Sequence, residues 1–297
     1  MLLQCLIGAA VISAQDLIPR AYVITPIGAN AVTFSSAYFN GPVFTDPTVP
    51  LTDFTASFFV EALSLYHSTS LLGRSANATV SLPYAVGNFR AKVSGTDTNV
   101  YRSGMADPRL RLSMNLYGGP AMRLTDMAAW REKTIVGASL TLLIPAGQYD
   151  PGRLINPSLH RWALKPEVGF SHRWGHWSMD AYCGVWFSTE NDRYFPGRST
   201  RSQAPIEAGE FHVTYSLNPR FWTSADVNYW VGGRTTLNGT QNFDYQRNSR
   251  IGATAVIPIG QRQSLKFSYS SGARIAVGGN FQNVTAGWQY AWVSGGR

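Results

Sequence analysis

The chain has 297 residues, of which 44% are hydrophobic, 13% aromatic and only 14% charged, with a formal net charge of +8 carried mostly by arginine. Soluble domains usually hold about 25% charged residues, so this composition suits a surface that meets lipid, and the scattered arginines point away from a nucleic-acid patch and toward a wet interior or lipid headgroups. No run reaches the ~18 to 20 consecutive apolar residues of a membrane helix, which leaves a closed barrel as the way to span a bilayer, because lipid cannot satisfy an open sheet edge.

Residues 1–14 form an apolar run ending in Ser13-Ala14, as expected of a cleaved signal peptide. No Lys or Arg precedes the run, which fits a start codon placed too late. The rival reading is a buried N-terminal strand. Cys5 follows Leu-Gln and lacks the small residue that lipoprotein processing needs. The other cysteine, Cys183, sits on the apolar face of a strand as a small buried or lipid-facing hydrophobe, and no disulfide framework remains once the leader is gone. Residues 15–30 contain Pro19, Pro26 and Gly28 and read as an extended periplasmic lead-in. The barrel is expected over 31–297.

Alternation of apolar and polar residues, the period of a strand, then recurs along the chain. The runs are 31–39, 55–66, 77–84, 109–117, 134–144, 161–173, 177–187, 209–217, 221–231, 250–257, a run around Leu265–Tyr269, and 281–293. The last shows the pattern well: Val284, Ala286, Trp288, Tyr290 and Trp292 share one face, and Asn283, Thr285, Gly287 and Gln289 the other. The second run is apolar on both faces, so its lipid side is ambiguous, and its Glu61 is expected inward. A long polar loop is expected from about residue 85 to Asp107, and a short helical turn after the fourth run.

These are about twelve runs near the ~9 to 11 residues of a membrane strand. The breaks alternate, long after runs one, three, five, seven and nine and mostly short after two, six, eight and ten. Outer-membrane barrels alternate short periplasmic turns with long outer loops, whereas a soluble sandwich has no reason to. Two breaks misfit: the one after run four is long for a turn, and the one after run eleven is short for an outer loop. The expected fold is therefore all-β, a transmembrane antiparallel up-and-down barrel of about 12 strands, of outer-membrane type, with both termini periplasmic.

Four stretches carry a further signal: Ser103-Gly104-Met105-Ala106-Asp107-Pro108, Leu143-Ile144-Pro145-Ala146-Gly147-Gln148-Tyr149-Asp150, Ile155-Asn156-Pro157 followed by Lys165-Pro166-Glu167-Val168-Gly169, and Gly184-Val185-Trp186-Phe187 with Asn191 beyond. In order and spacing they resemble the outer-membrane transporter family labelled MetA-pathway of phenol degradation, and the lead-in Gln15-Asp16-Leu17-Ile18-Pro19-Arg20 fits it too. Ala106 and Ala146 stand where family members more often have Gly and Thr. The resemblance implies outer-membrane passage of small, aromatic or hydrophobic compounds and no catalytic residues.

Parity places Glu61, Arg109, Arg111, Lys165, Glu167, Arg173, Asp180, Trp186, Glu210, Asp226, Trp230, Lys266 and Arg274 as lumen-lining candidates. Both charge signs occur, which fits either an ion-paired plug or a polar path. Trp162, Trp177, Tyr229, Tyr290 and Trp292 suit interfacial girdles. No metal-ligand cluster, phosphate loop or cofactor motif appears. His212 and Ser216, inward on one strand, are the best local pair for a hydrolase.

The sequence thus favours a non-enzymatic channel for passive passage of a small solute, with the bilayer and the outer-membrane assembly machinery as partners and no nucleic acid. A closed structural or interaction barrel is the alternative, and an outer-membrane hydrolase a distant third.

Overall fold

The computed structural model describes residues 17–46, 51–127, 129–131 and 133–294. The expected signal peptide, with Cys5, and the first two residues of the lead-in lie outside them. The chain builds a closed 12-strand antiparallel barrel. Its staves are β1 (Ala29–Phe44), β2 (Leu51–Leu71), β3 (Arg74–Val93), β4 (Arg109–Tyr117), β5 (Thr134–Leu143), β6 (Ala163–Trp174), β7 (Trp177–Ser188), β8 (Ile206–Asn218), β9 (Phe221–Gly232), β10 (Gln246–Pro258), β11 (Gln263–Arg274) and β12 (Gln282–Val293). Consecutive staves pair, and β1 closes the ring on β12 through a register running from Ala29↔Val293 to Asn40↔Gln282. Each of the twelve runs found by alternation falls on one stave.

The pleat explains the alternation. Phe34, Leu112, Val168, Phe187, Val227, Ile251, Phe267 and Val284 are among the large apolar residues exposed on the outer face, where a lipid-facing barrel keeps its hydrophobes. Exposed Cys183 lies on that face. The girdle candidates form two levels. Trp177 stands edge-on to Tyr215 and Tyr290 lies beside Trp292 near the end where β1 starts and β12 finishes, while Trp162 and Tyr229 lie toward the opposite end. We call these the near and far ends.

Four differences from the sequence reading have physical causes. Residues 96–105, expected as loop, form a strand (Thr96–Met105) that pairs with the outer half of β3. β3 has 20 residues and outlasts β4, so its far half needs another partner. Ser94 and Gly95, both at positive φ, supply the tight turn. The arm is polar on both faces, so alternation could not reveal it.

Second, Glu61 points outward rather than inward. It shares its face with exposed Phe59, Leu63 and Leu65 and accepts a hydrogen bond from Ser36 at 2.7 Å. A run apolar on both faces does not fix its own phase. Third, the lead-in does not stay outside the barrel. From Leu17 to Gly28 it lies within the wall, bonded to inward side chains of several staves.

Fourth, the two misfitting breaks are not simple connections. The near-end break after β4 holds the short helix Leu124–Met127, and Met122, Met127 and Trp130 pack against the lead-in cluster of Tyr22 and Ile24. Its extra length closes the barrel beneath the lead-in. The far-end link after β11 is short because Gly278–Gly279 pairs with the tip of β1, and Asn248 bonds Ala276 and Val277.

At the far end, loops after β7 and β9 build a small sheet from Asn191–Tyr194, Ser199–Gln203, Thr235–Leu237 and Thr240–Gln241. Beside it the motif residues noted in the sequence meet. Buried Asp107 accepts hydrogen bonds from Ser158 Oγ (2.6 Å), Leu159 N (2.7 Å) and Gly147 N (3.1 Å). Gln148 N donates to Met105 O, Asn156 bridges Asp150, and Asn191 donates to Tyr149 Oη and Leu159 O. A buried carboxylate taking three donors cannot be truncated cheaply. Asp107→Ala should cost about 3 kcal/mol, on the scale of hydrogen bonds to a buried charge, read as a lower denaturant midpoint in micelles. Asp107→Asn, which keeps one acceptor oxygen, should lose less.

Candidate functional site

The lumen is where inward side chains converge, and its centre is a ladder of charge. Arg111 Nη2 lies 3.5 Å from Glu167 Oε1. Lys165 Nζ sits between Glu167 Oε2 at 2.6 Å and Glu210 Oε1 at 3.4 Å. His212 Nε2 faces Glu210 Oε2 at 3.4 Å, its Nδ1 is 2.8 Å from Asp226, and Thr254 donates to Asp226 at 3.0 Å. The ladder crosses from β4 to β10. It exists because period-2 spacing stacks residues 165 and 167, and 210 and 212, on one face of their staves. Lys165, Glu167, Glu210, His212 and Asp226 are buried, His212 completely, so each charge needs a partner.

Below the ladder the lead-in is clamped. Tyr22 Oη donates to Glu167 at 2.9 Å and lies 3.2 Å from Ser139 Oγ. Asn115 donates to Tyr22 O, Ala21 N to Tyr182 Oη, Arg20 N to Asp180 and Ile18 N to Glu210. Arg111 lies over the Tyr22 ring at 5.3 Å and Arg20 over Trp222 at 5.2 Å. Tyr22 fits because its ring rests on Gly137 and Gly169, where any Cβ would overlap it.

One cavity, of about 110 Å³, lies in the lumen among Ile18, Ser81, Arg109, Arg111, Lys165 and Trp186. Another, of about 70 Å³, lies toward the far end among Phe54, Phe58, Phe89, Phe281, Val43 and Ile155 and is almost wholly apolar. Phe58 stacks between Phe39 and Phe89, with Phe281 edge-on to it.

Of the candidates from sequence, Arg109, Arg111, Lys165, Glu167, Trp186 and Glu210 meet at the lumen cavity. Asp226 joins the ladder through His212, and Asp180 accepts from Ser171 and the lead-in. Trp230 packs with Trp186 nearer the far end and donates to Gln246 at 2.9 Å. Lys266 is half-buried on β11 and Arg173 donates to Gly175 O at the near end. Arg274 is exposed where the β10–β11 register shifts, and Glu61 is on the outer face. The sequence reading did not name Tyr22, Tyr182 or Asn115 as site residues. Parity marks Tyr182 and Asn115 as inward, but nothing periodic marks Tyr22.

The hydrolase pair does not form. Both nitrogens of His212 face carboxylates, and Ser216 Oγ instead accepts from Arg20 Nη1 at 3.4 Å. Among the described residues no group of three or more His, Cys, Asp or Glu is placed to hold a metal ion.

Fold and site together define an outer-membrane-type β-barrel whose lumen is crossed by an ion ladder and entered by its own lead-in. Residues 34–290 match the family described as Putative MetA-pathway of phenol degradation, and the chain belongs to that family. Among solved structures, it is similar to an outer membrane channel from Pseudomonas putida F1, with a TM-score of 0.77 at 17% identity over 93% of this chain and 100% of that one. The transport unit of the autotransporter AIDA-I from Escherichia coli matches at a TM-score of 0.52 and 9% identity over 96% of both chains. At these identities the likeness is one of fold. No curated protein matches the sequence.

Proposed function

We propose that the protein is an outer-membrane channel for passive passage of small aromatic or hydrophobic solutes, inserted by the outer-membrane assembly machinery, with both chain ends in the periplasm and the far end outside. The observation that carries this reading is the almost wholly apolar cavity at the mouth of a polar lumen. An apolar, aromatic-lined pocket gives a hydrocarbon or phenol a site that water does not contest. Family membership and the shared fold with an outer membrane channel from Pseudomonas putida F1 support the same reading.

In this scheme a solute partitions into the pocket, then passes the Trp186 cavity when the lead-in yields. No energy-coupling group is needed. The lumen candidates other than Glu61, Trp230 included, act as the path wall, and Trp162, Trp177, Tyr229, Tyr290 and Trp292 anchor the barrel at the two headgroup levels.

The test is single-channel recording in a planar bilayer with phenol added on one side. Phenol should interrupt the current, and Ala56→Glu, which puts a carboxylate in the apolar pocket that buried Ala56 lines, should abolish the interruption while the barrel still shows heat-modifiable migration. Current indifferent to phenol would sink the aromatic path. The occupied lumen favours one rival, a closed interaction barrel. A complete lack of current, even with the lead-in displaced, would select it.

A further inference from the structure

Buried cations pair with anions, because an unpaired charge in a dry site is costly. Two far-end arginines break this rule. Arg161 and Arg201 are 6% and 8% exposed. Arg201 and Gln203 are two residues apart on the cap strand Ser199–Gln203 and so share a face. Arg161 Nη2 donates to Gln203 Oε1, which draws Arg161 against that same face. Arg201 lies over the Tyr194 ring at 5.1 Å.

Among the described residues neither guanidinium forms an ion pair with a carboxylate. Asp107, whose charge reaches Arg161, already accepts from Ser158, Leu159 N and Gly147 N. The Nε–H groups of Arg161 and Arg201 and the indole N–H of Trp186 are buried without an acceptor. Burial, with the neighbouring Arg201 cation, pushes Arg161 down to about 9. What these donors lack is an oxyanion.

An apolar wall adjoins them. Leu159 and Ala163 flank Arg161 two residues away on either side in sequence; Ala163 belongs with Trp186 and Trp230 to one buried hydrophobic cluster, and partly buried Leu159 packs against it. We propose that Arg161 and Arg201 form a carboxylate-binding site beneath the far-end cap, taking a small organic acid whose apolar body lies on the Trp186–Trp230 cluster. The site binds whether or not the solute crosses, so it stands apart from the channel reading.

Calorimetric titration of the micelle-solubilised barrel with benzoate, its neutral isostere benzamide, and inorganic phosphate tests this. Benzoate should bind at least about tenfold more tightly than benzamide, the scale of losing charge-assisted hydrogen bonds. Arg161→Gln and Arg201→Gln should each weaken benzoate by a similar factor. Arg201→Gln also relieves repulsion between like charges, so it should fold at least as well as the parent, checked by heat-modifiable migration. No benzoate binding, equal affinity for benzamide, or indifference to both variants overturns the proposal. Phosphate that matches benzoate in affinity and displaces it shows an inorganic-anion site and overturns the organic-acid assignment.

Discussion

Alanine at both Gly137 and Gly169 should open the lumen. A Cβ at either position would overlap the Tyr22 ring, and at Gly169 it would also stand 2.8 Å from Tyr182 Cδ1. Inserting a methyl into a filled site costs about 1–3 kcal/mol. Against this, the Tyr22 turn is held by three hydrogen bonds to barrel side chains, each contributing roughly 0.5–1.5 kcal/mol net. One alanine therefore weakens the docking, and two bring the terms level, so the double variant should spend much of its time with the lead-in released. The barrel itself should tolerate the change, since both positions are extended strand paired across β5 and β6.

The readout is single-channel conductance, expected to rise from parent to single to double variant. Gly287→Ala is the control, because this inward glycine's Cβ would meet nothing nearer than 3.6 Å. Conductance unchanged in the double variant would mean that the lead-in is not what obstructs the lumen.

This prediction could not have been made from sequence. The barrel was legible because a lipid-facing wall forces period-2 alternation on every stave, and the ladder residues followed from parity. Lys165, Glu167, Glu210 and Asp226 point inward for the same reason that Val168 and Val227 point outward. The lead-in has no such signature. A segment that crosses a lumen is recognised by single contacts, Tyr22 to Glu167 or Ala21 to Tyr182, which leave no period.

The glycines that receive Tyr22 likewise read as ordinary small inward residues. Glu61 shows the converse limit, since a strand apolar on both faces has alternation of neither phase. Asp107, Gly147, Asn156 and Asn191 were visible as a family pattern. Their meeting at one far-end knot depends on three loops whose paths only the tertiary structure shows. Arg161 opens its run in the sequence, and nothing local marks it as the partner of a cap strand forty residues on.

Lys165→Met should be the most destabilising single change in the lumen. Lys165 Nζ is shared by Glu167 and Glu210, and all three side chains are at most 9% exposed. Removing one partner from a buried ion group costs about 3–5 kcal/mol, because carboxylates are left in a poorly solvating site. A similar pair in water is worth only about 0–1 kcal/mol. The size of the loss therefore reports how wet the ladder is.

In the parent, with the lead-in docked, the urea midpoint in micelles should fall by the larger amount at constant m, and Lys165→Met/Glu210→Gln should recover part of it. In the Gly137→Ala/Gly169→Ala background the same Lys165→Met should cost much less, because a released lead-in admits water to the carboxylates. A small cost in both backgrounds would mean a lumen already open to water. A large cost in both would mean a ladder that stays dry without the lead-in, and would point to the closed barrel.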